Sequence, residues 1–196
     1  MTAEDILSEV LKDAAFYKNS GGGMTLSGGE PLFQPDFSLE LLGLAKNAGL
    51  HTAIETCGYA KKEVIAASAE LVDLYLFDYK ESDPERHRAY TGVDNRLILE
   101  NLSLLNSLQK RIVLRCPIIP GCNDRTDHFR AIAELANRHA HIEEIQVEPY
   151  HDLGMNKYAR LGKAYKLPDT RPTDRKTAEH YVEEIRAHTD TPVRIP

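Results

Sequence analysis

Five short segments of this chain carry residue types that can do chemistry together. They are Ser27-Gly28-Gly29-Glu30-Pro31, Glu55-Thr56-Cys57-Gly58, Asp78-Tyr79-Lys80, Arg115-Cys116-Pro117 and Glu148-Pro149-Tyr150-His151. Each follows a run that reads as a strand. Gly28 and Gly29 let backbone approach a ligand closely. Glu30, Glu55 and Asp78 can accept from an ammonium group or hold a cation. Lys80 and Arg115 can hold a carboxylate, the arginine as a two-pronged fork. His151 can donate to a hydroxyl or titrate near neutral pH. The set suits a zwitterion, either an amino acid or a molecule with an amino-acid tail.

These segments need elements to bring them together. Thr2 with Asp5 reads as a capping box. Ile6, Leu7, Val10, Leu11 and Ala14 then recur at helical spacing, predicting a helix that ends near Asn19 before the Ser20–Gly23 glycine run. Strands are predicted over Met24–Ser27, His51–Glu55, Val72–Tyr79, Arg111–Cys116 and Ile142–Glu148. Helices are predicted over Phe37–Asn47, Lys61–Ala69, Asn95–Ser107, Thr126–Arg138 and Arg175–His188. Val72–Tyr79 is apolar enough to predict a strand buried on both faces. Pro192–Ile195 reads as a short extended end, and Pro149–Asp174 as a long irregular stretch.

Strand and helix alternate five times, the rhythm of parallel βαβ units in an α/β fold. In such folds ligands collect at the carboxyl ends of the strands, where all five segments fall. The length of 196 residues predicts one domain over 1–196. His87, His128, His139, His141, His180 and His188 fall on predicted helices or exposed turns and are expected on solvated faces.

Composition removes some classes of function. The chain is 42% hydrophobic and 28% charged, with a formal net charge of −6. It shows no basic stripe, which disfavours nucleic acid as a partner. No stretch approaches the roughly 20 apolar residues of a membrane span, so no membrane partner is expected. The three cysteines, Cys57, Cys116 and Cys122, fit a reducing cytoplasm, and their spacing matches no metal-thiolate motif.

The ordered set Gly28-Gly29-Glu30-Pro31, Glu55-Thr56-Cys57-Gly58, Asp78-Tyr79-Lys80, Arg115 with Pro120-Gly121, and Tyr150-His151-Asp152-Leu153-Gly154 resembles the radical S-adenosylmethionine (SAM) enzymes that activate glycyl radical enzymes. Pyruvate formate-lyase activating enzyme is the best-known member. The resemblance runs from about Thr2 to the last helix. It implies a partial (β/α) TIM-like barrel. It implies a reaction in which reductive cleavage of SAM gives a 5′-deoxyadenosyl radical that removes a glycine hydrogen from a large partner lyase. Flavodoxin or ferredoxin would supply the electron.

By position, the resemblance assigns Gly28, Gly29 and Glu30 to the SAM ammonium group. Asp78 and Lys80 go to its methionine end, with Lys80 on the carboxylate. Arg115 is assigned to the ligand side and His151 to the ribose. Glu55 and Thr56 stand where the family has a monovalent cation site, although Glu replaces the usual Asp.

In the family a first strand and a C-x-x-x-C-x-x-C loop, which holds a [4Fe–4S] cluster, precede the first helix. This chain begins at that helix, so about five of the six barrel strands are expected, with no iron–sulfur ligands. Met24–Ser27 would then be an edge open to pairing. Alone, the chain is expected to be unable to generate the radical. The other readings are a SAM-binding or partner-docking protein without redox chemistry, a fragment that complements a separate N-terminal piece, and a barrel lyase using Lys80 as a Schiff base.

Overall fold

A computed structural model of the chain describes residues 1–160, 162 and 164–196. Its centre is a six-stranded, all-parallel sheet in the order β1-β2-β3-β4-β5-β6. The strands are β1 (Gly23–Leu26), β2 (His51–Thr56), β3 (Leu74–Asp78), β4 (Arg111–Ile118), β5 (Ile142–Pro149) and β6 (Val193–Arg194). The helices are α1 (Ala3–Val10), α2 (Ala14–Ser20), α3 (Pro35–Asn47), α4 (Lys62–Ala69), α5 (Pro84–Thr91), α6 (Arg96–Ser107), α7 (Thr126–Arg138), α8 (Met155–Arg160) and α9 (Arg175–Arg186). Neighbouring strands follow one another in sequence. Right-handed crossovers between them therefore carry the connecting helices to one face.

The five predicted strands form within a few residues of their expected bounds. Pro192–Ile195 contributes a sixth, because Val193 and Arg194 pair in parallel with Ile145 and Gln146. β4 runs on to Ile118, through Pro117. A proline is tolerated there because β3 has already ended at Asp78, opposite Arg115.

Local chemistry sets the helix ends. Thr2 Oγ1 accepts from the Asp5 amide and the Asp5 carboxylate from the Thr2 amide, which closes the predicted capping box. The single helix expected from there to Asn19 is broken by a 3-10 turn at Leu11–Asp13 into α1 and α2. α5 was not anticipated. Asp83 Oδ1 accepts from the Glu85 and Arg86 amides, Pro84 takes the first turn, and Gly92 at φ 94° ends it. Within the stretch read as irregular, α8 adds a further helix.

The core lies between sheet and helices. Ile54, Tyr75, Phe77, Leu114, Ile118, Ile145 and Val147 project from the sheet and are fully buried. They meet Leu41, Leu42, Ile65, Leu102, Leu105, Ile132 and Ile185 from the helices in one cluster. Each such side chain contributes about 1.5–3 kcal/mol.

The two-sided burial expected for Val72–Tyr79 does not hold. Along β3, Tyr75 and Phe77 are buried, while Leu74, Leu76 and Asp78 are only half-buried. The intervening residues face away from the helices, as the twofold period of a strand requires. On that open face, β2 contributes Glu55, β4 Arg115, and β5 Glu144, Gln146 and Glu148, all half-buried. The polar groups are thus gathered on the uncovered side of the sheet.

Candidate functional site

The strand register sets the spacing of the rim. Asp78 lies beside Arg115, and Arg115 beside Gln146; Pro117 lies beside Glu148. A cleft of about 280 Å³ opens there, lined by Glu55, Asp78, Arg115, Pro117, Ile119, Glu148, Pro149, Tyr150 and His151. Four of the predicted site residues therefore line one cavity. Lys80 joins them through its ammonium group, 3.0 Å from Asp78 Oδ2.

Arg115 is the most constrained member. Its Nη1 lies 2.6 Å from Glu55 Oε1, and its Nε donates to Glu148 Oε1 at 2.9 Å. Burial of the guanidinium would lower its pKa, but the two carboxylates outweigh it and hold the arginine above its ordinary value. Among the described residues, Nη2 has no partner. Ser27 Oγ donates to the second Glu55 oxygen at 3.0 Å.

Glu30 sits differently. Oε1 accepts from the Leu32 amide at 3.1 Å and the Thr56 hydroxyl at 2.7 Å. Oε2 accepts from the Cys57 amide at 2.9 Å and the Cys57 thiol at 3.0 Å. Four donors occupy the four lone-pair positions of a carboxylate. The carboxylate thereby ties the loop after β1 to the end of β2. Gly28 holds φ 141°, which an L side chain rarely adopts, and open space surrounds both it and Gly29.

Glu55 and Thr56 do not converge as a cation pair. As neighbours on a strand they point to opposite faces. The Thr56 hydroxyl is buried, donating to Glu30 and accepting from the Gly58 amide. The Glu55 carboxylate is already neutralised by Arg115. His151 lies on the rim with an exposed side chain.

Buried amides that the sequence did not single out hold the rim loops in place. Asn101 Nδ2 donates to the Gly58 and Ala60 carbonyls, each at 2.8 Å. Asn95 Nδ2 donates to the Glu81 and Ser82 carbonyls. Asn123 donates to the Lys80 and Pro117 carbonyls and accepts from the Ile119 amide. Behind Lys80, the buried Glu81 carboxylate takes both terminal nitrogens of Arg125 at 2.9 Å. Burial alone would raise the Glu81 pKa, but Arg125 and the local amides bring it down to about 2. No residue type or spacing marks an asparagine as buried; only the tertiary contacts do.

His87 and His128 are not on solvated faces. They are 3% and 0% exposed. His87 Nδ1 lies 2.7 Å from the Val93 carbonyl oxygen, and His128 Nδ1 accepts from the Ser82 amide at 3.1 Å. Burial pushes His128 down to about 4, against the pull of Glu81, so it is neutral at pH 7.

The rim fits the amino-acid end of SAM. It offers an arginine nitrogen without a hydrogen-bond partner among the described residues, with carboxylates around it. Lys80, Gly28 and Gly29 stand at neighbouring strand ends outside the cleft lining, Lys80 tied to it through Asp78. The described residues do not fit an iron–sulfur cluster. Cys116 is fully buried, Cys57 is bound to Glu30, and no three His, Cys, Asp or Glu side chains among the described residues could hold a metal ion.

The profile of the Radical SAM superfamily matches residues 1–136, more than half of the chain. This chain is a radical SAM protein. It is 35% identical over 191 residues to the pyruvate formate-lyase-activating enzyme of Clostridium pasteurianum, covering 94% of this chain and 79% of that protein. It is 42% identical over 169 residues to the choline trimethylamine-lyase activating enzyme of Oleidesulfovibrio alaskensis, covering 85% and 54%. The radical SAM protein therefore belongs to the family that activates glycyl radical enzymes. Its fold matches a crystallised domain of a pyruvate-formate lyase-activating enzyme from Bacteroides vulgatus with a TM-score of 0.74 at 26% identity, over 89% of this chain and 99% of that one. The chain spans about half the length of most of the curated relatives it matches. No described helix is long and apolar enough to cross a membrane.

Proposed function

We propose that these residues, as one domain over 1–196, form the SAM-binding part of a glycyl-radical-enzyme activating enzyme. The observation that carries this reading is the cleft at the ends of β2–β5, lined by Asp78, Arg115 and His151, with Lys80 paired to Asp78 and a guanidinium nitrogen of Arg115 that has no hydrogen-bond partner among the described residues. Lys80 and Arg115 Nη2 hold the ligand carboxylate. Asp78 and the carbonyls around Gly28 and Gly29 receive the ammonium group. His151 donates to the ribose. Glu30, with all four lone-pair positions filled, acts on the ammonium only through the loop it shapes. Bound SAM supplies the sulfonium from which activating enzymes of this family draw a radical.

The partner we infer is a glycyl radical enzyme, with an electron donor such as flavodoxin or ferredoxin. The names of the relatives and the shared fold support this. The [4Fe–4S] cluster is not assigned to any residue here, since none of the three cysteines fits one. A polypeptide of these 196 residues alone binds SAM and leaves it intact. Anaerobic incubation with iron, sulfide and radiolabelled SAM, followed by ultrafiltration, tests this. SAM should stay with the protein, unchanged and without iron. Loss of SAM, or stoichiometric retention of iron, would contradict it.

A further inference from the structure

Glu148 has no role in the site as read from the sequence, yet it holds the residue on which the cleft turns. It lies on the same face of β5 as Gln146, the register partner of Arg115. Its Oε1 accepts from Arg115 Nε at 2.9 Å, while Glu55 takes Nη1 at 2.6 Å. Two carboxylates thus grip one guanidinium from two sides and leave Nη2 available. One carboxylate would neutralise the arginine; the second leaves an excess.

The excess extends to the whole cleft. Among the described residues that line or adjoin the cleft, the carboxylates of Glu55, Asp78 and Glu148 stand against Arg115 and Lys80, giving one net negative charge, with Tyr150 and His151 as the other titratable groups. The pairs are partly exposed, with side-chain exposures of 21–34% around Arg115, so solvent weakens this field without abolishing it. A ligand with one net positive charge is favoured there over an isosteric neutral one. SAM carries that charge on its sulfonium. Its thioether counterpart, S-adenosylhomocysteine, does not.

We propose that Glu148 is a specificity-determining residue that positions Arg115 and makes the cleft prefer the cationic sulfonium ligand over the neutral thioether. This rests on the SAM-binding reading above. The preference follows from charge, so it is separable from position. A glutamine at 148 keeps an oxygen for Arg115 Nε while removing the charge; an aspartate keeps the charge.

Calorimetric titration of the full chain with SAM and with S-adenosylhomocysteine tests the proposal. The wild type should bind SAM more tightly, by about fivefold or more at low salt, the scale of one unit charge across a partly solvated gap. The preference should shrink as salt rises, a readout that needs no variant. Glu148→Gln should lose most of it, chiefly by binding SAM more weakly, and Glu148→Asp should retain it. Because both ligands are measured on the same protein, a general loss of folding would not imitate a changed ratio. Equal wild-type affinities, or an unchanged ratio in Glu148→Gln, would overturn the proposal and leave SAM binding standing. Binding of neither ligand to the wild type would overturn the SAM reading itself.

Discussion

The Glu30 carboxylate holds Cys57 twice, through its amide at 2.9 Å and its thiol at 3.0 Å, 27 residues away in sequence. Burial first, and then the carboxylate, push the Cys57 thiol up to about 11. The thiol is thus a donor in a clasp between two rim loops, and a poor nucleophile. Glu30→Gln removes the charge and two acceptor positions. It should destabilise the chain by about 2–4 kcal/mol. It should also speed alkylation of Cys57 by iodoacetamide at pH 8, read by peptide mass spectrometry. An unchanged alkylation rate in a folded variant would show that the clasp does not form.

Asn123 joins two strand ends to the loop that follows them. Its amide nitrogen lies 2.8 Å from the Lys80 oxygen and 2.7 Å from the Pro117 oxygen, and its oxygen 2.7 Å from the Ile119 nitrogen. Asn123→Ala leaves these groups unpaired in a site that is nearly closed. A loss of about 3 kcal/mol in urea unfolding is expected. A loss below about 1 kcal/mol would mean that water replaces the side chain without penalty.

Gly58 is fixed by its neighbour. Its φ is 70°, and a Cβ there would stand 2.4 Å from Phe77 Cζ. Gly58→Ala should cost about 3 kcal/mol, from the left-handed backbone and the overlap together. In a Phe77→Ala background the same change should cost only about 1–2 kcal/mol, because the overlap is gone. Equal costs in both backgrounds would exclude the overlap.

Acid should destabilise the fold in two stages. His128 has its folded pKa depressed from 6.5 to about 4 by burial. Below pH 6.5 the unfolded chain takes up a proton that the folded chain refuses. Stability therefore falls as pH drops from about 6.5 to 4, by roughly 3 kcal/mol at most. Glu81, depressed to about 2 mainly by Arg125 against the cost of burial, contributes fully above about pH 4.5 and loses that contribution between there and pH 2. Unfolding curves of His128→Leu should be nearly flat over pH 6.5–4.5 where the wild type slopes. Parallel slopes would remove His128 from the account.

The parallel βαβ units and the polar strand ends were legible because such units announce themselves by alternation. Burial was harder to read. Leu74 and Leu76 look like core residues in a run with Tyr75 and Phe77, and nothing in sequence tells an uncovered sheet face from a packed one. α5 carried capping signals at Asp83, Pro84 and Gly92 but too few apolar residues to show a helical stripe. His87 and His128 read as surface residues because their buried partners are backbone groups and distant side chains. Glu148 stands 33 residues from Arg115, and only the register of β4 with β5 brings them together.

The central claim is that the cleft at the strand ends holds the amino-acid end of SAM. Titration calorimetry of SAM into the wild type, Lys80→Ala and Arg115→Ala tests it most directly. The wild type should show one saturable site. Each variant, losing a charged donor to the ligand carboxylate, should bind about tenfold or more weakly. No saturable binding to the wild type, or wild-type affinity in both variants, would contradict the account.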